Sequence, residues 1–133
     1  MPETARCSSV ALIAEDEWLV RMGIADALLN AGWQVIEAAT GEQALVLADG
    51  VRANGVGVIE LLVTDIGLGG AMNGWDLAEA LRLKRPDIAV VYASATPAAG
   101  IRQVAGSAFV EKPFRIDTLM KICSRLTGHG APC

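Results

Sequence analysis

Five short apolar runs, separated by segments with helical spacing, constrain the fold of this chain more than any other feature. The runs are Val10 to Ala14, Trp33 to Ala38, Ile59 to Thr64, Ile88 to Ala93 and Ala108 to Val110. They are short and rich in Val and Ile, which favours strands over helices. Apolar residues three and four apart lie between them, as in Val20, Ile24 and Leu28. Strict alternation predicts an α/β fold with a parallel sheet and right-handed crossovers.

Helix boundaries are marked by residues that start or stop helices. Gly32 follows the first helical segment at the position that favours a left-handed backbone. Thr40 precedes the second as an N-cap, with Gln43 placed to complete a capping box. Asn73 precedes the third helix, and Pro86 ends it. These residues support the boundaries that the apolar spacing predicts.

The composition fits one domain with both faces of the sheet covered. The chain has 133 residues, of which 53% are hydrophobic and 20% charged, and a sheet buried on both faces needs strands that are apolar throughout. We expect a folded domain at 10–127, flanked by a flexible N-terminus at 1–9 and a flexible tail at 128–133. Cys7, Cys123 and Cys133 show no metal-ligand spacing and are interpreted as reduced thiols.

Charge and hydropathy exclude two classes of partner. The net charge is −4 and no Lys/Arg cluster occurs, whereas a nucleic-acid surface needs basic residues to displace counterions. No apolar run approaches the ~18 residues that span a bilayer, and the N-terminus lacks an apolar signal core. We therefore expect a cytoplasmic protein with no direct contact to nucleic acid or membrane.

Acidic residues follow two of the predicted strands. Glu15, Asp16 and Glu17 come directly after the first strand, and Asp65 follows the third. Ligands of open α/β sheets bind at the carboxyl ends of strands, where the strand order reverses. Converging carboxylates repel one another unless a cation compensates, and oxygen ligands suit Mg²⁺. A carboxylate beside Mg²⁺ can also act as a nucleophile toward phosphorus.

Two more strand ends add a hydroxyl and an ammonium group. Ser94 follows the fourth strand, and Lys112 follows the fifth. Both groups can bind phosphoryl oxygens. Each residue alone is better interpreted as a helix cap or a surface lysine, so the argument depends on the whole set.

The ordered set resembles the receiver domains of bacterial two-component response regulators, over about Val10 to Leu126. Four motifs carry the resemblance: Ile13–Glu17, Leu62–Asp65, Val91–Ala95 and Phe109–Phe114. It implies a CheY-like, flavodoxin-like doubly wound sheet of five parallel strands in the order 2-1-3-4-5.

The resemblance also implies a role for each matched residue. Asp65 matches the phosphoacceptor. Asp16 matches a direct Mg²⁺ ligand, Glu15 a ligand through water, and Gly67 a backbone carbonyl ligand, with Mn²⁺ as an alternative ion. Ser94 matches the switch hydroxyl, Lys112 the phosphoryl contact and Phe109 the switch aromatic. The Lys112–Pro113 peptide bond matches one that is usually cis.

By this resemblance we expect a phosphoacceptor signalling domain that can dephosphorylate itself and is not a turnover enzyme. We expect it to stand alone, the alternative being one domain of a larger hybrid kinase. Its expected partners are a histidine kinase or phosphotransfer protein and an unidentified downstream protein. We expect a monomer or a weak dimer, with no output domain.

Two features depart from the usual family pattern. The stretch from Asp65 to Gly74 is one residue longer than is common and has Gly69 where proline is common, which predicts a mobile loop. Only thirteen residues, 95–107, separate the fourth and fifth strand runs, which predicts a shortened fourth helix.

Three other functions fit parts of the sequence. A pseudo-receiver would bind partners without phosphorylation. A Mg²⁺-dependent phosphohydrolase usually needs a second acid just after its nucleophile, and positions 66–71 contain none. A flavodoxin-type nucleotide or flavin binder would need a phosphate-binding loop where Glu15, Asp16 and Glu17 stand.

Overall fold

Strands and helices alternate along the chain as the apolar runs predict. The computed structural model describes residues 9–54, 57–95 and 102–128. The strands are β1 (Ser9–Ala14), β2 (Gln34–Ala38), β3 (Val58–Thr64), β4 (Ala89–Ser94) and β5 (Ala108–Glu111). The helices within the described residues are α1 (Trp18–Asn30), α2 (Gly41–Asn54), α3 (Gly74–Lys84) and α4 (Ile116–Thr127).

The five strands form one parallel sheet in the order β2-β1-β3-β4-β5. This confirms the predicted doubly wound fold and its strand order. The order reverses at the centre of the sheet, where β1 lies between β2 and β3. The carboxyl ends of β1 and β3 therefore meet at the position where such sheets bind ligands.

Side chains that alternate along the strands fill two cores, one on each face of the sheet. Leu12 and Leu62 pack on one face against α2 and α3. Ile13 and Val63 pack on the other face against α1 and α4. All four side chains are buried, which explains why the strands are apolar throughout.

The predicted helix ends are present. Gly32 has a left-handed backbone with φ 98°. Its N–H donates to the Leu29 carbonyl and the Trp33 N–H donates to the Leu28 carbonyl, so α1 ends in a Schellman motif. Asn73 caps α3 through a capping box with Asp76, and α3 ends at Lys84, two residues before Pro86.

The start of α2 differs from the prediction by one residue. The Thr40 hydroxyl accepts a hydrogen bond from the N–H of Gln43 at 3.1 Å, as expected. The Gln43 side chain accepts from the N–H of Ala39 at 2.8 Å, and not from that of Thr40. The Gln43 side chain therefore binds the residue before the N-cap, where the standard box binds the N-cap itself.

The predicted short fourth helix falls mainly outside the described residues, which omit 96–101. The described part, Arg102 to Ser107, contains turns and leads into β5. Of the two ends predicted to be flexible, the structure describes only Ser9 and Gly128. Cys7 and Cys133 lie outside the described residues. Cys123 is a buried free thiol. None of the described helices is both long enough and apolar enough to cross a membrane.

Candidate functional site

The site lies at the carboxyl edge of the sheet, where β1 and β3 are neighbours. Ala14 at the end of β1 pairs with Thr64 at the end of β3. The Asp65 N–H donates to the Ala14 carbonyl at 2.9 Å, and the Glu15 N–H donates to the Ala38 carbonyl at 3.0 Å. Backbone pairing thus continues one residue past the strands and places Glu15 and Asp65 side by side.

Three acids converge at this edge, as their positions after the strands predict. Glu15, Asp16 and Asp65 each offer a carboxylate oxygen, and these oxygens all lie within 4.8 Å of one another. The side chain of Glu15 is 2% exposed and that of Asp65 is 12% exposed, whereas Asp16 faces solvent. Two shielded carboxylates and one accessible carboxylate therefore surround one small space.

Lys112 is a cation shared by Glu15, Asp65 and Glu17. Its Nζ lies 2.8 Å from Oε1 of Glu15, 3.1 Å from Oδ2 of Asp65 and 3.3 Å from Oε1 of Glu17. Its backbone N–H donates to the Ser94 carbonyl at 2.9 Å, which holds the end of β5 against the end of β4. The peptide bond from Lys112 to Pro113 is cis, as predicted.

Ser94 lies at the end of β4 and is 1% exposed. Its side chain hydrogen-bonds to the Asp65 carboxylate. The structure thus brings Ser94 and Lys112 to the same carboxyl group, from the two strands that follow β3 in the sheet.

Electrostatics at the site keep Asp65 ionised. Burial alone would raise the pKa of Asp65, but the hydrogen bonds from Ser94 and Lys112 outweigh it and lower that pKa below its ordinary value. Burial raises the pKa of Glu15, and the bond from Lys112 offsets only part of this effect. Burial opposes the charge of Lys112, yet its bonds to Glu15 and Asp65 raise its pKa. Asp65 is therefore a carboxylate at neutral pH.

Gly67 lies beside Asp65, in the loop that leaves β3. Its N–H donates to Oδ1 of Asp65 at 3.3 Å. A Cβ at this position would have no atom within 4 Å, so the space next to Gly67 is open. The predicted role of the Gly67 carbonyl as a metal ligand remains a prediction.

Phe109 does not share the immediate surroundings of Asp65. It is the second residue of β5 and pairs with Tyr92 of β4. Its side chain is partly buried and packs against the core on the face of the sheet that α2 and α3 cover. Its predicted role as a switch aromatic is likewise a prediction.

Three residues around the site were not assigned a role from the sequence. The Glu17 N–H donates to Oε2 of Glu15 at 3.1 Å, and its carboxylate contacts Lys112. Arg21 donates to the Glu15 carbonyl at 2.7 Å and pairs with Glu37 at 3.1 Å. Gly74 packs so closely that a Cβ there would lie 2.1 Å from the Asp65 carbonyl oxygen. Glu17 stood in the acidic run after the first strand and Asn73-Gly74 marked a helix start, but neither signal revealed these contacts.

Comparisons with known proteins agree with this geometry. A profile of the response regulator receiver domain matches residues 11–124. The chain is 34% identical over 116 residues to the sensor kinase CckA of Brucella abortus, covering 84% of this chain and 12% of that kinase. It thus spans about an eighth of the length of this curated relative.

Two solved structures show the same fold. One is a response regulator receiver protein from Sinorhizobium medicae, with a TM-score of 0.81 and 27% identity over 91% of this chain and 95% of that one. The other is the receiver domain of the hybrid histidine kinase CckA, with a TM-score of 0.74 and 30% identity over 89% and 98% of the two chains. The profile, the relatives and the acidic site together show that this chain belongs to the response regulator receiver domain family.

Proposed function

We propose that this receiver domain accepts a phosphoryl group on Asp65 in a two-component phosphorelay. The observation that carries the proposal is the position of the Asp65 carboxylate. It stands within an acidic cluster and is bonded to Lys112 and Ser94 from two neighbouring strands. We take residues 10–127 as the folded unit that performs this function.

Receiver domains bind Mg²⁺ at an acidic site, and the residues here fit that ion. The donor set of Glu15, Asp16 and Asp65 consists of oxygen atoms only, which is the set that Mg²⁺ prefers. The carboxylates of Glu15, Asp16, Asp65 and Glu17 outnumber the Lys112 ammonium and leave a net negative charge, which a divalent cation would reduce. We propose Asp16 and Asp65 as direct ligands, the Gly67 carbonyl as a third, and Glu15 as a ligand through water. Bound there, Mg²⁺ would neutralise charge on the phosphoryl oxygens.

The protein's own residues supply the nucleophile and two contacts to the transferred group. A carboxylate oxygen of Asp65 attacks phosphorus, and a bond forms between them. The bond from phosphorus to the donor atom breaks, and its electron pair leaves with the donor, which takes a proton from solvent. Lys112 and the Ser94 hydroxyl, which now bond to Asp65, are placed to bond to phosphoryl oxygens instead.

Signal output follows from this exchange of partners. Ser94 moves toward the phosphoryl group, and Phe109 follows from the neighbouring strand into space near β4. The phosphorylated state then presents a different surface to a downstream protein, which binds the two states with different affinity. Family members act as signalling domains, so we propose slow self-dephosphorylation and no turnover of a separate substrate.

Receiver domains are phosphorylated by histidine kinases or phosphotransfer proteins, and the surface beside Asp65 suits a helical donor. Trp18 and Leu19 in the first turn of α1 are 60% and 64% exposed, and Ile116 at the start of α4 is 39% exposed. Leu19 and Ile116 line a groove that reaches Lys112. We propose that an apolar helix surface of the donor packs into this groove. We further propose that the encounter takes place in the cytoplasm and that this chain is then a monomer or a weak dimer.

Intact mass spectrometry after incubation with acetyl phosphate and Mg²⁺ tests the proposal. We expect a mass gain of one phosphoryl group, absent in Asp65→Asn and absent with a metal chelator. Asp26→Asn is the matched control, because Asp26 is an exposed acid on α1, and it should gain the group as the wild type does. No gain under any donor would contradict the proposal and favour a pseudo-receiver that binds partners without phosphorylation.

A further inference from the structure

The second part of the loop that follows Asp65 has few side-chain atoms with which to hold itself in place. The whole loop comprises Ile66 to Asn73, and four of its eight residues are Gly or Ala. Gly loses more backbone freedom on ordering than any other residue. Ile66 and Leu68 are buried in the core and anchor the start of the loop, so contacts from outside must define the position of its second part, from Gly69 onward.

Glu42, in the first turn of α2, makes such a contact. Its Oε2 accepts hydrogen bonds from the N–H groups of Ala71 at 3.0 Å and Met72 at 3.1 Å. Hydrogen bonds to an ionised carboxylate are stronger than neutral ones, and a negative charge is favourable in the first turn of a helix. One exposed side chain thus binds two consecutive amides, 29 and 30 residues away in sequence.

The backbone at Gly70 lies close against the same carboxylate. Gly70 has φ 91°, and a Cβ there would lie 2.9 Å from Oε1 of Glu42. Two adjacent contacts continue the junction: Thr40 pairs with Gly69 through a parallel bridge, and the Met72 side chain packs on Gly41. The loop is therefore docked on the turn between β2 and α2.

The docked loop also carries the backbone that touches the phosphoacceptor. The Gly67 N–H donates to Oδ1 of Asp65, and the Gly74 N–H closes the loop onto the Ile66 carbonyl at 2.8 Å. Three residues separate Gly67 from Ala71, and one of them, Leu68, is buried in the core; a shift at Ala71 and Met72 would therefore reach Gly67 as strain through Gly69, Gly70 and Leu68.

We infer that Glu42 is a positioning residue for the phosphoacceptor site. By binding the Ala71 and Met72 amides it fixes the loop that presents the Gly67 backbone to Asp65. It thereby sets the affinity for Mg²⁺ and the rate of phosphoryl transfer. Glu42 acts through the loop and not on the reacting atoms. The inference rests on the proposed function of Asp65.

Three measurements on Glu42→Ala and Glu42→Gln test this role. Amide hydrogen exchange of Ala71 and Met72 is measured without metal, Mg²⁺ affinity by calorimetry with the metal alone, and phosphorylation by acetyl phosphate. In the Ala variant we expect exchange about tenfold faster, and Mg²⁺ binding and phosphorylation about three- to tenfold weaker and slower. The Gln variant keeps an acceptor oxygen without the charge, so all three values should stay within about threefold of wild type.

Asp49→Ala is the matched control, because it removes one negative charge from the same helix and breaks the surface pair with Lys84. It should leave all three values within about twofold of wild type. If Glu42→Ala does not fold, Glu42→Asp replaces it, since the shorter side chain keeps the charge but withdraws the carboxylate from the two amides. The same directions of change are expected.

Two results would overturn the inference. The first is unchanged exchange of Ala71 and Met72 in the Ala variant, or faster exchange with unchanged Mg²⁺ affinity. The second is a Gln variant that keeps slow exchange yet binds Mg²⁺ as weakly as the Ala variant, because charge and not position would then be the cause. A wild-type protein that takes no phosphoryl group would contradict the proposed function, while exchange and Mg²⁺ affinity would still decide the role of Glu42.

Discussion

Replacement of Gly74 by Ala tests how tightly the phosphoacceptor is packed. Gly74 is the first residue of α3, and an added Cβ would lie 2.1 Å from the carbonyl oxygen of Asp65 and 2.8 Å from the Cα of Ile66. Both are backbone atoms, which cannot rotate away as the end of a flexible side chain can. The backbone of the phosphoacceptor or of the helix start must therefore move.

The expected cost follows from these distances. Ordinary contact of a Cβ begins at 3.4 Å, so the 2.1 Å separation must grow by about 1.3 Å. Overpacking of a well-packed region costs about 1–3 kcal/mol, and two backbone contacts place this variant near the upper end. A misplacement of about 1 Å at a reacting group can slow a reaction about 100-fold. We therefore expect a loss of about 3 kcal/mol in the free energy of unfolding, and phosphorylation slowed by at least about tenfold.

Urea unfolding and the rate of phosphorylation by acetyl phosphate measure the two effects. Gly50→Ala is the control, because a Cβ at Gly50 in α2 has no atom within 4 Å. Ala is favoured over Gly in a helix, so the control should gain about 0.5–1 kcal/mol. If Gly74→Ala unfolds at the urea midpoint of the wild type and is phosphorylated at its rate, the packing argument is wrong.

Three further predictions concern other parts of the domain. Lys112→Met leaves the buried Glu15 without its cation, so the free energy of unfolding should fall by about 2 kcal/mol at pH 7, less than for a fully buried pair. Burial raises the pKa of Glu15 above its ordinary 4.5, so Glu15 becomes protonated as the pH falls toward 4.5, and neutral Glu15 needs no cation beside it. The difference in stability between the variant and the wild type should therefore narrow at low pH; a difference that widens would contradict the assignment. Tyr92→Phe keeps the ring contact with Trp75 but removes the hydroxyl that accepts from the Val104 N–H at 3.2 Å, so urea unfolding should show a loss of about 1–2 kcal/mol; no loss would mean that the bond contributes nothing. Burial raises the pKa of the Cys123 thiol to about 12, so in a Cys7→Ser/Cys133→Ser background a thiol reagent should label it only on unfolding, and rapid labelling of the native protein would refute the burial.

The fold and the centre of the site could be predicted because their determinants are local in sequence. Apolar runs of strand length identify the strands, and alternation with helical spacing identifies a parallel sheet. Parallel strands all place their carboxyl ends at one edge, so Asp16, Asp65, Ser94 and Lys112 could be brought together from position alone.

The contacts that hold the site in shape could not be predicted in the same way. Glu42 binds Ala71 and Met72 across 29 and 30 residues, and no periodicity or motif links these positions. The close packing of Gly74 on Asp65 depends on the path of the loop, which glycine leaves open in the sequence. The glycines predict a mobile loop, and they gave no indication of the contacts with Glu42 and Thr40.

The most direct test of the central claim locates the phosphoryl group on the chain. After phosphorylation with acetyl phosphate and Mg²⁺, borohydride reduction converts an aspartyl phosphate to homoserine, which peptide mapping by mass spectrometry assigns to one residue. We predict homoserine at position 65, with none at Asp16 and no 5-hydroxynorvaline, the product expected from a glutamyl phosphate, at Glu15. Homoserine at another position, or none in a protein that is otherwise folded and binds Mg²⁺, would contradict the assignment of Asp65 as the phosphoacceptor.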